Sequence, residues 1–392
     1  MENSTTLLFL YLKTGGGHLA PAKAISNWMA NKNPAQIELH DGFMGASNLI
    51  KGAIENGYRF SQTKGKWMFE LMYAIHKFKP FALLSSWIVS IFVFKALKRK
   101  IFSLKPSKIV IYHFFLIRPT LRIVKKYNLN IPVITVVTDP FTAHPIWFLQ
   151  PNQHFIVFSN KLKASIERKH RINPKNVSVF PFTLNPKYNN KLHVQREIAF
   201  KAYLGIDLNR KVVLLIGGAD GLPRGDKVLL ELCKVNLNAD IIVVCGTNKS
   251  LRNKANNLKC RFKEISIHVL GYTNYVHELV SISDAVITKC GASTFMEILL
   301  CGKIPLVNTF IWEQEKGNVD FLREYGMGVF EPNPKKLAQF TELVLYNKEF
   351  NKKLRENISQ MRLENGTPYV SDFISNFKNS NDEFACNIRL AY

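Results

Sequence analysis

The sequence has few of the features that mark secreted, metal-binding or disordered proteins. Its 392 residues include six cysteines, none in a Cys-x-x-Cys pair, so neither a zinc site nor a disulfide framework is expected. No low-complexity tract is present, and 47% of the residues are hydrophobic, which is typical of globular domains. The first residues lack the basic region and small-residue cleavage site of a secretory signal. We therefore expect a globular cytoplasmic protein.

Acidic residues are scarce in only one half of the chain. Residues 1–200 hold 28 Lys and Arg against 8 Asp and Glu, whereas residues 201–392 hold 25 against 21. The formal net charge of +24 therefore comes mainly from the N-terminal half. Such an excess attracts a polyanion, either a nucleic acid or an anionic membrane surface, and composition alone does not choose between them.

Short apolar runs alternate with helical patterns, which predicts an α/β protein with buried parallel strands. The length favours two domains, and a polar stretch at residues 183–195 marks their boundary. We predict an N-terminal domain at 1–190, a C-terminal domain at 191–365, and a closing helix and tail at 366–392. The predicted strands are residues 6–12, 108–113, 131–137, 154–158, 212–216, 241–245, 266–270, 285–288 and 304–307.

The densest chemical signal lies in the C-terminal half. A turn of small residues around Gly291 follows a predicted strand and opens a predicted helix, with Ser293 and Thr294 in its first turn. Free backbone N–H groups and the positive end of a helix dipole at such a turn bind phosphate. Glu297 lies one turn further, where a carboxylate can accept hydrogen bonds from a ribose diol. Glycine turns before helices are common, so the turn alone is weak evidence.

A polar cluster follows the next predicted strand. Gln314, Glu315 and Asn318 combine carboxylate and amide groups of the kind that bind several sugar hydroxyls. The alternative interpretation is a solvated helix start, because an acidic residue in a first turn is favourable on dipole grounds alone.

The order of these motifs resembles the family of monogalactosyldiacylglycerol synthases and processive diacylglycerol glucosyltransferases, relatives of the transferase that makes lipid II. The resemblance extends over most of the chain. The motifs that carry it are residues 14–18, 136–139, 144–147, 214–221, 243–246, 269–272, 284–289, 294–297 and 314–318, with the single residues Gly291, Gly302 and Pro305. One departure is Cys290, followed by Gly291 and Ala292, where the family usually has Pro-Gly-Gly or Pro-Gly-Pro.

The resemblance implies a GT-B fold of two facing Rossmann-like domains, with a UDP-sugar as co-substrate in the C-terminal domain. It implies that Gly291, Ser293 and Thr294 meet the phosphates. It further implies ribose contact by Glu297, sugar contact by Gln314 and Glu315, and transfer with inversion. UDP-glucose and UDP-galactose both remain open as donors. The other nucleotide-sugar-binding residues expected are Gly217, Gly218, Gly246, Leu270, Gly271, Tyr272 and Asn318, with the uracil framed by backbone at 270–272.

No Asp-x-Asp pair occurs in the chain. The metal-dependent way of neutralising a leaving diphosphate therefore has no obvious ligands, and helix dipole and backbone N–H groups are expected to stabilise that charge instead. We expect no required metal and no other cofactor.

The N-terminal half is then expected to bind the acceptor and to supply the catalytic base. His18 follows the glycine turn at a helix N-terminus, where the dipole favours a neutral imidazole that can take a hydroxyl proton. Asp139, at the end of an apolar strand, is a rival base or a residue that orients a histidine. His144 and Trp147 are candidate acceptor or membrane contacts, and His144 has a structural alternative, packed against Trp147.

The segment between residues 51 and 126 favours a lipid acceptor. It holds 16 Lys and Arg against two acidic residues, and it contains an apolar run at 81–94. About 14 residues fall short of the roughly 20 needed to cross a bilayer, so we predict a segment in the headgroup region of an anionic membrane. The alternative is a core helix that is apolar on all sides. The contacts expected here are Trp87, Phe92, Lys95, Lys98 and Arg99, with Trp67, Phe69, Tyr73 and Phe78 as further interfacial aromatics.

The resulting expectation is a peripheral enzyme at the cytoplasmic face of a membrane that moves a hexose to diacylglycerol. Transfer to a polyprenyl-linked or other acceptor, and a sugar-nucleotide epimerase of the same fold, are the alternatives. A nucleic-acid partner is not expected, because the basic charge comes with no recognisable RNA- or DNA-binding motif.

Overall fold

The structure is a computed structural model that describes residues 6–13, 16–32, 36–45, 52, 70–71, 74–189, 192–310 and 313–378. The predicted interfacial residues Trp67, Phe69 and Tyr73 lie outside the described residues, as do Thr14 and Gly15 of the glycine turn. The chain divides into two compact units. One comprises Met1–Pro186 with Asn365–Tyr392, and the other comprises Lys187–Glu364.

The first unit contains a six-stranded sheet in the order β2-β1-β3-β4-β5-β6, and all its strand pairs are parallel. The three strands that become neighbours in its centre, β1, β3 and β4, are far apart in sequence. The strands are β1 (Thr6–Tyr11), β2 (Gln36–Asp41), β3 (Lys108–Ile111), β4 (Val133–Val136), β5 (His154–Val157) and β6 (Val177–Val179). The helices are α1 (Leu19–Lys32), α2 (Lys79–Leu104), α3 (Ile117–Lys126), α4 (Asn160–His170) and, after the chain returns from the second unit, α13 (Thr367–Asn376).

The second unit repeats the plan with a parallel sheet in the order β12-β11-β10-β7-β8-β9. Its strands are β7 (Lys211–Ile216), β8 (Ala239–Val244), β9 (Ile267–Leu270), β10 (Ala285–Lys289), β11 (Ile304–Thr309) and β12 (Val329–Phe330). Its helices are α5 (Val194–Tyr203), α6 (Gly225–Val235), α7 (Lys249–Arg261), α8 (Val276–Ile282), α9 (Ala292–Leu300), α10 (Glu313–Glu324), α11 (Pro334–Tyr346) and α12 (Lys348–Gln360).

The predicted strands are present in both sheets, but β2, β6 and β12 were not anticipated. All three are edge strands, which have one neighbour and need not be apolar on both faces. β2 alternates polar and apolar residues, and β12 has only two residues. Their sequences therefore lack the continuous apolar run that identifies a buried strand.

Helix α2 is longer than the apolar run predicted at 81–94. It has 26 residues, begins with a proline in its first turn, and ends where Lys105 adopts a left-handed conformation and donates its N–H to the Ile101 carbonyl. Within the described residues it is the helix long and apolar enough, by length and composition, to cross a membrane. The prediction that this segment is too short to cross a bilayer was therefore wrong. The burial of α2 has to show whether the helix belongs to the core or to the surface.

The burial of α2 is two-sided. One face packs towards the sheet core and α3, and each fully buried aliphatic side chain on it contributes about 1.5–3 kcal/mol. The opposite face exposes large apolar side chains. The buried residues are Ala82, Ser86, Val89, Ser90, Val93, Leu97 and Ile101, and the exposed apolar residues are Phe81, Leu84, Trp87, Ile88, Ile91, Phe92 and Phe102. One face of the helix thus belongs to the core of the first unit, and the other face belongs to its surface.

Candidate active site

In the second unit, the predicted phosphate turn is formed as the sequence suggested. β10 ends at Lys289 with a register shift after Thr288, and Gly291 is the N-cap residue of α9. The first intrahelical bond runs from the Phe295 N–H to the Gly291 carbonyl. The N–H groups before Phe295 have no acceptor within the helix, and glycine has no side chain to cap them. The end of α9 is therefore suited to bind an anion.

The cluster predicted from α10 lies beside this turn. Asn318 donates its side-chain N–H to the Cys290 carbonyl at 2.7 Å, and Glu315 lies 2.7 Å from the Lys289 ammonium. Cys290, the departure from the family pattern, is fully buried, and burial raises the pKa of its thiol well above its usual value. Cysteine is thus accommodated as a small core residue at this position. The side chain of Gln314 lies outside what the structure describes.

Two polar atoms at this turn are buried without a hydrogen-bond partner among the described residues. They are the Ser293 hydroxyl oxygen and the side-chain carbonyl oxygen of Asn318, a residue that is only 1% exposed. Buried polar groups are normally paired, so each unpaired atom calls for an explanation. A ligand that donates to Asn318 and accepts from Ser293 would supply the missing partners.

Glu297 lies one turn into α9 and is half-buried. Burial raises the pKa of Glu297 to about 7, and the charge of Lys187 and the hydroxyl of Tyr188 offset part of this effect. Tyr188 is 4% exposed and packs edge-to-face on His277 with ring centroids 4.8 Å apart. Lys187 and Tyr188 were not predicted as site residues, because both lie in the polar stretch interpreted as a domain boundary.

The glycines predicted to approach the nucleotide are explained largely by the protein's own packing. A Cβ on Gly246, which has φ +57°, would lie 2.0 Å from the Ala219 carbonyl oxygen, and a Cβ on Gly217 would lie 2.3 Å from the Gly221 carbonyl oxygen. The loops after β7 and β8 thus press against each other, and only glycine permits this. Gly218, with φ +82°, faces open space.

The segment predicted to frame a uracil follows the last residue of β9. The Leu270 carbonyl accepts a hydrogen bond from the Cys245 N–H at 2.9 Å, so part of its backbone is already used in the sheet. Gly271 lies against the loop of Gly246, and the Tyr272 ring is 67% exposed. The fold therefore brings the predicted segments at 217–218, 246 and 270–272 to one edge of the sheet.

In the first unit, the structure brings His18 together with Thr138 and His113. The His18 Nδ1 lies 2.9 Å from the Thr138 hydroxyl, and the two imidazole rings have centroids 4.5 Å apart. Burial lowers the pKa of His18 to about 4, and the nearby main-chain carbonyl of Tyr112 offsets only part of this effect. The predicted neutral imidazole follows, but burial rather than the helix dipole is its main cause.

His113 is a site residue that the sequence analysis missed. It is 2% exposed, and burial together with the neighbouring His18 lowers its pKa well below the usual value. Its Nδ1 accepts a hydrogen bond from the Phe115 N–H, which leaves Nε2 as the protonated ring nitrogen. The available signal was its position directly after a strand, but only the strand order β1-β3-β4 shows that it meets His18.

Asp139, His144 and Trp147 form a second group in the same unit. The Trp147 indole N–H donates to an Asp139 carboxylate oxygen at 3.2 Å, and Trp147 is 1% exposed. His144 is 5% exposed, and its Nδ1 accepts from the Ile146 N–H at the start of the 3₁₀ turn Pro145–Phe148. Burial of this kind does not fit direct membrane contact. The group positions the chain after β4, close to His18, whose ring centroid is 6.1 Å from that of Trp147.

The predicted membrane residues lie on α2 and differ in exposure. Trp87 and Phe92 are exposed, as are Lys95 and Arg99, whereas Lys98 is half-buried over the Tyr127 ring at 4.8 Å. The sequence has no acidic residue between positions 71 and 138. At the other end of α2 a cavity of 460 Å³ is lined by further basic side chains. They are Lys77, Lys79, Lys169 and Arg171, together with His76 and His170.

Comparison with known proteins gives two family matches. The monogalactosyldiacylglycerol (MGDG) synthase family matches residues 18–181, and the glycosyltransferase family 28 C-terminal domain matches residues 212–370. The chain is 29% identical to monogalactosyldiacylglycerol synthase 3 of Arabidopsis thaliana, over 91% of this chain and 78% of that protein. It is 23% identical to the processive diacylglycerol beta-glucosyltransferase of Bacillus pumilus, over 96% of this chain and 98% of the relative. Other plant relatives match over as little as 63% of their length.

Among solved structures, the chain is similar to TcCGT1 in complex with UDP, with a TM-score of 0.64 at 14% identity. The match covers 96% of this chain and all of that one. Similarity at this level of identity concerns the fold alone. The fold is GT-B, with two Rossmann-like parallel sheets.

The raised pKa of Glu297 predicts a pH-dependent stability difference. Because its folded-state pKa of about 7 lies above the ordinary value of 4.5, folding disfavours the ionised carboxyl, and stability falls as pH rises through this window. We expect Glu297→Gln to have a higher Tm than the wild type at pH 8, with the difference shrinking towards pH 4.5. Thermal unfolding between pH 4 and 8 measures it, with the exposed Glu342→Gln as control. A difference that stays constant with pH would contradict the prediction.

Proposed function

The chain belongs to the family of monogalactosyldiacylglycerol synthases and processive diacylglycerol glucosyltransferases, and on this premise we propose its specific reaction. The enzyme transfers a hexose from UDP-glucose or UDP-galactose to the free hydroxyl of 1,2-diacylglycerol, with inversion, at the cytoplasmic face of a membrane. The observation that carries the proposal is the uncapped N-terminus of α9, next to two buried and unpaired polar atoms.

The donor is held by the second unit. Its diphosphate lies at the α9 N-terminus, where the backbone N–H groups and the Ser293 and Thr294 hydroxyls donate to it. Glu297 accepts hydrogen bonds from the ribose diol, and Glu315 and Asn318 accept from sugar hydroxyls. When the bond between the anomeric carbon and the UDP oxygen breaks, charge develops on the diphosphate. The preorganised N–H groups stabilise that charge in the transition state.

The acceptor is activated in the first unit. We assign the ring proton to His18 Nδ1, which then donates to the Thr138 hydroxyl at 2.9 Å, so that the Nε2 lone pair takes the proton of the diacylglycerol hydroxyl. The hydroxyl oxygen attacks the anomeric carbon on the face opposite UDP, so an α-linked donor yields a β-glycoside. Asp139 is the rival base, but its contact with the Trp147 indole supports a positioning role.

The exposed face of α2 contacts the membrane. Exposed apolar side chains cover mainly its first half, and basic side chains lie near both of its ends. A helix with apolar residues on one exposed face and basic residues at its flanks lies in the interface plane. Each basic residue near an anionic surface contributes about 1 kcal/mol, and the embedded apolar side chains add to this. The acceptor is then extracted from the same membrane, and the opposite helix face remains packed in the core.

The reaction is tested by incubating the enzyme with diacylglycerol vesicles and labelled UDP-glucose or UDP-galactose. We expect a β-glycosyl diacylglycerol from one donor. A product that forms only with a polyprenyl-linked acceptor would replace the proposed acceptor. Conversion of the donor without any acceptor would indicate an epimerase and overturn the proposal.

Replacing the proposed base should separate catalysis from donor binding. We expect His18→Ala to lower kcat by about 10² to 10⁴-fold while UDP binding stays within a few-fold of the wild type. Because the pKa of His18 is lowered to about 4, the acidic limb of the wild-type profile should lie well below pH 6. The exposed His193→Ala is the matched control. Weakened donor binding with unchanged kcat would remove His18 from the base role.

Membrane attachment should depend on the exposed face of α2. We expect Trp87→Glu combined with Ile88→Glu to abolish sedimentation with anionic vesicles, because two charges would enter the apolar region. Leu343→Glu changes an equally exposed apolar residue in the second unit and should sediment like the wild type. High salt should weaken the wild-type interaction. Equal sedimentation of all three proteins would show that another surface binds the membrane.

A further inference from the structure

A part-buried ion pair lies directly in front of the helix end where the donor diphosphate is proposed to bind. The Lys289 ammonium is 2.7 Å from a Glu315 carboxylate oxygen, and the two side chains are 18% and 11% exposed. A Cβ built on Gly291 would lie 2.9 Å from the Lys289 Nζ and 3.6 Å from that same oxygen. The pair thus lies next to the N-cap residue of α9, at the site of the expected phosphate.

The electrostatics of this position are unusual. A cation at the positive end of a helix is unfavourable, because the dipole there repels positive charge. The Glu315 carboxylate, which pairs with Lys289, compensates by placing a negative charge beside the helix end. Without a donor, therefore, the carboxylate supplies the charge that a phosphate would supply.

The unpaired atoms next to the pair are independent support for a ligand. The side-chain carbonyl oxygen of Asn318 is an acceptor with no donor among the described residues, although the N–H of the same amide is held by Cys290. A buried acceptor needs a donor, and sugar hydroxyls are donors. Asn318 lies one turn after Glu315 on α10, so both can accept from one sugar.

We infer that Lys289 exchanges partners when the donor binds. Its ammonium leaves Glu315 and binds the diphosphate, and the released carboxylate, with Asn318, accepts hydrogen bonds from the sugar hydroxyls. The inference rests on the proposed function and deepens it, because it couples recognition of the two parts of the donor. UDP without a sugar would break the Lys289–Glu315 ion pair without offering sugar hydroxyls to the carboxylate, which is unfavourable.

The exchange predicts that replacing Lys289 and replacing Glu315 have opposite effects on UDP binding. Calorimetry measures the affinities for UDP and for the UDP-hexose that the enzyme uses. Lys289→Met should weaken both ligands by about tenfold to a hundredfold, because a charge-assisted bond to phosphate is lost. Glu315→Gln should instead strengthen UDP binding by about threefold to tenfold, because no ion pair then has to be broken for Lys289 to reach the diphosphate. The same variant should lose preference for the UDP-hexose over UDP.

Controls keep the outcomes distinct. Lys316→Met removes an exposed lysine of the same helix, paired with Asp320, and should leave both affinities unchanged. Lys289→Arg retains the cation and should keep UDP binding within a few-fold of the wild type. A merely structural ion pair would also tolerate arginine, but it would predict weaker UDP binding by Glu315→Gln as well. Normal UDP binding by Lys289→Met, or weaker UDP binding by Glu315→Gln, would overturn the exchange and leave the proposed reaction standing. Wild-type protein that binds neither UDP nor a UDP-hexose would overturn the proposed reaction itself.

Discussion

Parallel strand pairing is the constraint on which both candidate sites depend. The carboxyl ends of neighbouring parallel strands meet at one edge of a sheet, so the residues that follow them are brought together whatever their separation in sequence. In the first unit this places His18, His113 and Thr138 beside one another after β1, β3 and β4. In the second unit it places the α9 turn and the start of α10 after the adjacent strands β10 and β11.

Burial then gives these groups their chemistry. The same packing that fixes the His18 imidazole keeps it neutral, because its charged form would lose solvation. Burial shifts the pKa of Glu297 in the opposite direction, upwards, since desolvation of a carboxyl group favours its protonated form. A neutral histidine and a carboxyl group that ionises near neutral pH therefore have one physical cause in two separate units.

The sequence predicted the strands of the sheet interiors and the donor turn, because both have local signatures. Buried strands need continuous apolar runs, and a phosphate turn needs small residues before a helix. His113, Thr138 and Tyr188 could not be predicted in this way, because their roles depend on which strands and loops become neighbours. Gly246 shows the reverse case: its motif suggested a ligand contact, but contact with the Ala219 carbonyl already requires glycine.

Helix α2 has apolar side chains on two faces, one packed in the first unit and one exposed. This has a consequence during synthesis on the ribosome. The face that packs on α3 stays uncovered until residues 117–126 have been made and have emerged, so residues 81–94 of the nascent helix expose apolar side chains on both faces for that interval. In that state an 18-residue stretch within the helix satisfies the length and composition of a membrane-spanning segment. Whether the helix ends on a membrane or across it is then a kinetic competition between folding of the first unit and insertion of the nascent chain.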